Sequence, residues 1–134
     1  MNNLALAYLG DAVYELYVRE YLINKGICKV KDLQKNSIAY ISASSQATIL
    51  NSLTQNNFFK ENEIDIIMRG RNAHSHKSKS TDIITYKKST GLETLIGYLY
   101  MNDKNRLKEV MEEILKWKYL VKMYLTNLKI TKIQ

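Results

Sequence analysis

Two carboxylates, Asp11 and Glu93, stand inside apolar stretches of the sequence, and each has a glycine nearby. Gly10 directly precedes Asp11, and Gly97 follows Glu93 by about one helical turn. Glycine inside a helix costs about 1 kcal/mol relative to alanine, so these positions indicate that two helices cross closely. Acids brought together by such a crossing repel each other unless a proton or a cation lies between them. Mg²⁺ prefers oxygen ligands of this kind.

A plainer interpretation of the same residues stays open. The two glycines can serve tight packing alone, and a single acid on a helix is an ordinary surface residue. The two interpretations differ in whether Asp11 and Glu93 share one space in the fold. Glu15 lies one turn after Asp11 on the same face, where it can hold a metal-bound water or act only as a capping or interface acid.

The first acidic stretch has the periodicity of an amphipathic helix that continues to Asn24-Lys25-Gly26. Asn2 or Asn3 can cap its start. The residues predicted to face the core are Leu6, Leu9, Val13, Leu16 and Tyr17. Three residues fall outside this stripe and are predicted to contact a second copy of the chain: Tyr8, Ala12 and Tyr14.

The remaining elements are predicted to be helical as well. A second helix ends near Ile41, a third begins at a cap among residues 42–45 and runs through Leu53, and a fourth covers residues 61–68. The second acidic stretch covers residues 90–100, and a long helix runs from residue 105 to about 128. No alternating strand pattern appears, and there is no proline. The sequence therefore predicts an all-α fold.

Length and composition restrict the class of protein. A chain of 134 residues is expected to form one domain. No apolar run reaches the roughly 18 residues of a membrane span, and no signal peptide is recognisable. The single cysteine, Cys28, cannot form an internal disulfide, which favours a cytoplasmic location. The formal net charge of +7 favours a polyanionic partner.

The positive charge is concentrated around residues 69–88, a polar segment without hydrophobic periodicity between residues 74 and 81. Most such segments are solvated loops. Its side chains also suit phosphate and 2′-hydroxyl groups of double-stranded RNA. A metal site at His74 and His76 is disfavoured, since the pair has no third partner. The predicted RNA-binding residues are Arg69, Arg71, Asn72, His74, Lys77, Lys79, Lys87 and Lys88.

The sequences of both acidic stretches resemble motifs of the ribonuclease III family. Ala-Tyr-Leu-Gly-Asp-Ala-Val13 resembles the signature helix of that family, and Leu92-Glu-Thr-Leu-Ile-Gly97 resembles its second acidic helix. Together with Arg69-Gly-Arg-Asn-Ala73 and Thr81-Asp82, these motifs look like the Mini-III ribonucleases, which carry the nuclease domain alone. The resemblance spans residues 4 to about 115.

The resemblance implies a ribonuclease III endonuclease-domain fold over residues 1–134, without a separate double-stranded RNA-binding domain. It also implies hydrolysis of double-stranded RNA with Mg²⁺, for which Mn²⁺ can substitute. Asp11 and Glu93 would be metal ligands and catalytic residues, together with Glu15 as a further catalytic residue. A homodimer would cut both strands and leave 5′-phosphates. The implied substrate is structured RNA such as the precursor of large-subunit ribosomal RNA.

Three positions depart from the larger enzymes of the family. Leu4, Ala7 and Thr90 stand where those enzymes usually carry acids, a reduction that the Mini-III members share. The number of metal ions per site therefore stays open. The departures also leave a competing function, a non-catalytic RNA-binding or ribosome-associated protein that keeps the nuclease fold. A DNA-binding protein is disfavoured because no basic recognition helix is apparent.

Replacing Lys77 and Lys79 together with alanine is expected to weaken duplex RNA binding about equally for all sequences. Each lost phosphate contact flattens the slope of log affinity against log salt by roughly one unit. At saturating RNA, the variant should recover much of the wild-type cleavage rate, because neither lysine is assigned to metal binding. The measurement is binding to a fixed duplex at several salt concentrations, with Ca²⁺ replacing Mg²⁺. Unchanged affinity and slope would mean that the segment is only a solvated connection.

Overall fold

The computed structural model describes residues 1–73 and 82–117, and the fold is all-α in this part of the chain. No strand is present within these two ranges. The predicted fold class is confirmed. The helices are α1 (Asn3–Asn24), α2 (Val30–Ile41), α3 (Ala43–Gln55), α4 (Glu61–Arg71), α5 (Ile83–Asn102) and α6 (residues 104–117).

Side-chain caps fix the start of three helices. Asn2 caps α1, Ser42 caps α3 and Asp82 caps α5, and in each case a side-chain oxygen accepts a backbone N–H of the first turn. The caps expected at Asn2 and near Ser42 are thus confirmed. Helix α4 continues three residues beyond its predicted end, so Arg69 and Arg71 lie in its last turn, where positive charge is favourable.

Helix α5 is the central element, and α1, α3 and α4 all pack against it. Its Leu92, Leu95 and Ile96 side chains are completely buried. Full burial of one such side chain contributes about 1.5–3 kcal/mol, so α5 supplies a large share of the hydrophobic core.

The crossing of α1 and α5 depends on two glycines. A Cβ atom at Gly10 would collide with the backbone carbonyl of Glu93. A Cβ atom at Gly97 would collide with the backbone carbonyl of Leu6. The pairing of residue 10 with 93 and of residue 6 with 97 shows that the two helices run antiparallel. The close crossing predicted from Gly10 and Gly97 is confirmed.

Helix α4 is attached to its neighbours at both ends. Near its end, a Cβ at Gly70 would collide with the Thr94 side chain of α5. Near its start, the buried Glu63 carboxylate accepts two hydrogen bonds from Arg106 of α6, at 2.8 and 2.9 Å. Arg106 also donates to the Phe58 carbonyl oxygen. A buried ion pair needs such full hydrogen bonding, because an unpaired buried charge is costly.

Two predictions for α1 are wrong. Tyr14 was expected on an outer face, but it is fully buried and donates a hydrogen bond of 2.7 Å to the Tyr40 carbonyl oxygen. Leu16 was expected in the core, but it is 61% exposed. The reason is that α1 packs against α2 as well as α5, so its buried surface runs through Gly10, Tyr14 and Val18.

Several predicted features lie outside the described residues. These are the RNA-binding candidates His74, Lys77 and Lys79, and the expected continuation of α6 beyond residue 117. Within the described ranges, no helix combines the length and the apolar character that crossing a membrane would require.

Replacing Gly10 with alanine is expected to destabilise the protein, although alanine favours helices by about 1 kcal/mol. The new methyl group must displace the α5 backbone, and overpacking of this kind typically costs about 1–3 kcal/mol. Denaturant unfolding measures the difference. The control is Asn51→Ala at an exposed position of α3, which should be neutral or slightly stabilising. A Gly10→Ala protein as stable as the control variant would refute the close crossing.

Candidate active site

An open cleft of about 220 Å³ lies between α1 and α5, and both predicted acids line it. Asp11 comes from α1 and Glu93 from α5. The two carboxyl groups meet because Gly10, beside Asp11, lets α1 contact the α5 backbone at Glu93. The shared space predicted for the acids is therefore present, and the interpretation of both as separate surface residues fails. The other lining residues are Leu4, Ala7, Tyr8, Tyr86 and Thr90.

The environment of Glu93 favours its neutral form. Burial raises the pKa of Glu93, and the hydrogen bond and negative charge of Asp11 raise it further, to about 9. Asp11 itself is exposed on α1. At neutral pH and without a cation, the Glu93 carboxyl therefore keeps its proton. A cation bound to both groups would replace that proton.

Two buried polar residues lie beside Glu93. Ser89 lies one turn before Glu93 on α5, and Gln46 comes from α3. Both lie beside the Glu93 carboxyl and partly offset the rise in its pKa. Neither residue was predicted from the sequence. The spacing of four between Ser89 and Glu93 is a usable signal, whereas Gln46 has none because it is distant in the sequence.

The cleft offers only two carboxylates. Leu4, Ala7 and Thr90, at the positions where the larger ribonucleases III carry acids, line the same cleft as Asp11 and Glu93. Across residues 1–73 and 82–117, no group of three or more His, Cys, Asp or Glu side chains is placed to bind a metal ion. Any ion in the cleft would therefore complete its coordination with water or with oxygen atoms of a ligand.

Glu15 is not among the described residues that line the cleft. Its carboxylate instead accepts a hydrogen bond of 2.7 Å from Arg19, one turn further along α1. The pair lies at the protein surface, where such a bond contributes about 0.3–0.5 kcal/mol. The predicted catalytic role of Glu15 stays a prediction.

Within the described ranges, none of the predicted RNA-binding residues lines the acidic cleft. Arg69 borders a different cleft, near the opposite end of α5. The side chain of Arg71 lies close to α5, and Asn72 is the exposed C-cap of α4. Lys87 is exposed and Lys88 is half-buried, both within the first two turns of α5.

The raised pKa of Glu93 predicts how the stability of the metal-free protein depends on pH. Above the unfolded value of 4.5 the unfolded chain releases this proton, while the folded protein keeps it up to about 9. The contribution of Glu93 to stability therefore falls as pH rises through this window. Glu93→Gln removes this pH dependence. The melting temperature of the variant, relative to that of the wild type, should therefore rise as the pH approaches 9.

Thermal unfolding with a chelator present tests this expectation. Glu112→Gln is a suitable control, because Glu112 is an exposed acid on α6. Its profile should run parallel to that of the wild type. A Glu93→Gln profile that is also parallel to the wild type would show that Glu93 ionises normally in the folded protein.

Comparison with known proteins connects this cleft to a family. Residues 4–104 match the family described as the Ribonuclease III domain. The chain is 41% identical to the Mini-ribonuclease 3 of Enterococcus faecalis, an alignment that covers 87% of each chain. It is 46% identical to the Mini-ribonuclease 3 of Symbiobacterium thermophilum, covering 81% of this chain and 84% of that protein.

A solved structure agrees with these relatives. The crystal structure of a protein from Fusobacterium nucleatum superposes with a TM-score of 0.75 at 27% identity, covering 88% of this chain and 94% of that chain. The matched residues include both acidic helices and their glycines. The chain therefore belongs to the ribonuclease III family, within its Mini-ribonuclease 3 group of endoribonucleases.

Proposed function

We propose that the protein is a metal-dependent endonuclease of double-stranded RNA in which Asp11 and Glu93 bind the metal. The observation that carries this proposal is the meeting of the two carboxyl groups in one open cleft. Burial of Glu93 beside another acid lowers the stability of the fold. Such an unfavourable arrangement is typical of a site that binds a ligand. A protein that only binds RNA has no use for such a pair, which speaks against the non-catalytic alternative.

The donor set fits Mg²⁺. Two carboxylates in a water-accessible cleft match an ion that usually takes one or two protein carboxylates and keeps several waters. When bound, Mg²⁺ supplies polarisation of the scissile phosphate and a lower pKa for the attacking water. Asp11 and Glu93 would hold the ion from separate helices, so the packing of α1 on α5 fixes their separation. Mn²⁺, with similar ligand preferences, is expected to substitute.

Charge supports a duplex nucleic acid as substrate. The net charge of +7 is large for 134 residues, and cations on α4 and α5 stand on either side of residues 74–81 in the sequence. Lys87 directly follows Tyr86, which lines the cleft. We assign Arg71, Asn72, Lys87 and Lys88 to the RNA backbone, together with the predicted contacts at Arg69, His74, Lys77 and Lys79. Double-stranded RNA offers phosphates and 2′-hydroxyls to such groups.

We further propose a homodimer that brings two clefts to one duplex, one for each strand, with 5′-phosphate products. Its contact is assigned to the outer face of α1, where Tyr8 is 85% and Leu16 61% exposed, with Ala12 between them. Exposed apolar side chains at spacings of four residues form a continuous stripe on a helix. Leu16 replaces Tyr14 in this role, since Tyr14 is buried.

The cellular substrate we propose is structured RNA of the large-subunit ribosomal RNA precursor, in keeping with the family resemblance. A cytoplasmic location is in keeping with Cys28, which is free and exposed.

The function is tested by incubating the protein with duplex RNA, duplex DNA and single-stranded RNA, each with Mg²⁺, Mn²⁺ or a chelator. Only duplex RNA with a divalent ion should be cut. Asp11→Asn and Glu93→Gln should fold but lose cleavage by at least about 10²-fold, because each removes a charged ligand. Glu20→Gln, at an exposed acid of the same helix, is the matched control and should cleave like the wild type. Substantial cleavage by either cleft variant at low Mg²⁺ would exclude that residue from the chemistry.

The dimer is tested with Leu16→Glu, which places a charge on the proposed contact. The wild type should have twice the monomer mass by light scattering at micromolar concentration, and the variant should shift toward the monomer. Ile64→Glu on α4 is the control, since Ile64 is also an exposed apolar residue. A wild-type protein that is monomeric and fully active would contradict the proposed dimer.

A further inference from the structure

We propose that Gln46 and Ser89 are positioning residues that hold the Glu93 carboxylate in the orientation required to bind the metal ion. The proposal rests on the proposed function, because it assigns a supporting pair to one of the two metal ligands. Neither residue lines the cleft, so neither is assigned to contact with RNA or with the metal. They act through Glu93 alone.

The contacts of the pair define a connected network. The Ser89 hydroxyl donates to the Gln46 side-chain oxygen at 3.1 Å, and the Gln46 amide nitrogen donates to the Ile41 carbonyl oxygen at 3.2 Å. Both side chains lie beside the Glu93 carboxyl, and because Ser89 donates its one O–H to Gln46, Ser89 orients Glu93 through Gln46. The Ile41 carbonyl is at the end of α2, so the network connects α2, α3 and α5 at Glu93.

The stoichiometry of hydrogen bonds agrees with this arrangement. A glutamine side chain carries two N–H donors and one acceptor oxygen. One N–H of Gln46 is used by Ile41 and the oxygen is used by Ser89, which leaves the second N–H for Glu93. The Gln46 amide is therefore held in one orientation by its other two bonds. A donor fixed in this way fixes the carboxylate that accepts from it.

Burial indicates that the pair has a purpose beyond packing. Gln46 is 1% and Ser89 6% exposed, and Gln46 is followed on α3 by the core residues Ala47, Ile49 and Leu50. Burying a polar side chain in such surroundings is unfavourable unless it is fully hydrogen-bonded. An apolar side chain of similar size would pack at this place without that requirement. The need for a polar group comes from Glu93, which must present an oxygen to the cleft.

The expected effect of removing the pair is weaker metal binding. Loss of residues that orient a metal ligand typically lowers metal affinity about 10–100-fold. Ser89→Ala removes one hydroxyl and introduces a strong helix former, so it should fold. Gln46→Met keeps the length of the side chain and removes its polar atoms. If the two act as one network, their effects on affinity are not additive.

The test is calorimetric titration of each variant with Mg²⁺ in the absence of RNA, together with cleavage rates at rising Mg²⁺. Weaker Mg²⁺ binding, with cleavage recovering at high Mg²⁺, supports the proposal. The matched control is Ser37→Ala, which removes a hydroxyl of similar burial that bonds to the Gln34 carbonyl oxygen on α2. This control should bind Mg²⁺ like the wild type.

Two results would overturn the proposal. If Ser89→Ala changes the melting temperature but not the Mg²⁺ affinity, the pair is only structural. Ser89→Ala decides this point even where Gln46→Met fails to fold. If the wild type neither binds Mg²⁺ nor cuts duplex RNA, the proposed function itself is wrong, and the assignment of the pair falls with it.

Discussion

The close contact between α1 and α5 is the constraint on which the site depends. Gly10 and Gly97 let the two backbones touch, and that contact puts the carboxyl groups of Asp11 and Glu93 into one cleft. The arrangement is electrostatically unfavourable without a counter-charge, as the raised pKa of Glu93 indicates. The fold therefore places both proposed metal ligands in one cleft, and the rest of the structure supports this arrangement.

That support comes from the packing around α5. Its buried leucine and isoleucine side chains anchor the helix to its neighbours, and Gln46 reaches Glu93 from α3. On the other flank, the buried pair of Glu63 and Arg106 ties α4 to α6. Breaking such a pair by removing one partner typically costs about 3–5 kcal/mol, so α4 is held firmly as well. The helix that carries Glu93 is thus packed against neighbours that are themselves anchored.

Sequence reasoning could predict the features that depend on local pattern. Spacing and residue type predict the helices, the caps at Asn2 and Ser42, and the crossing at Gly10. The acids of the cleft follow from the same glycines, and the family resemblance agrees with them. These features need no knowledge of which distant segments meet.

The features that failed or were missed depend on tertiary contacts. Tyr14 is buried because α2 covers a second side of α1, which the pattern of one helix cannot reveal. Gln46 lies 43 residues from Ser89, and Glu63 lies 43 residues from Arg106. Nothing in either local sequence indicates its partner. Such polar contacts across the core can be assigned only once the helices are placed.

The central claim is that a divalent cation binds to Asp11 and Glu93 and displaces the proton of Glu93. Its most direct test is the number of protons released when Mg²⁺ binds, obtained by calorimetry near neutral pH in buffers of different ionisation enthalpy. Because the pKa of Glu93 is about 9, the wild type should release about one proton per ion. Glu93→Gln should release none. Tight Mg²⁺ binding by the wild type without proton release would contradict the account.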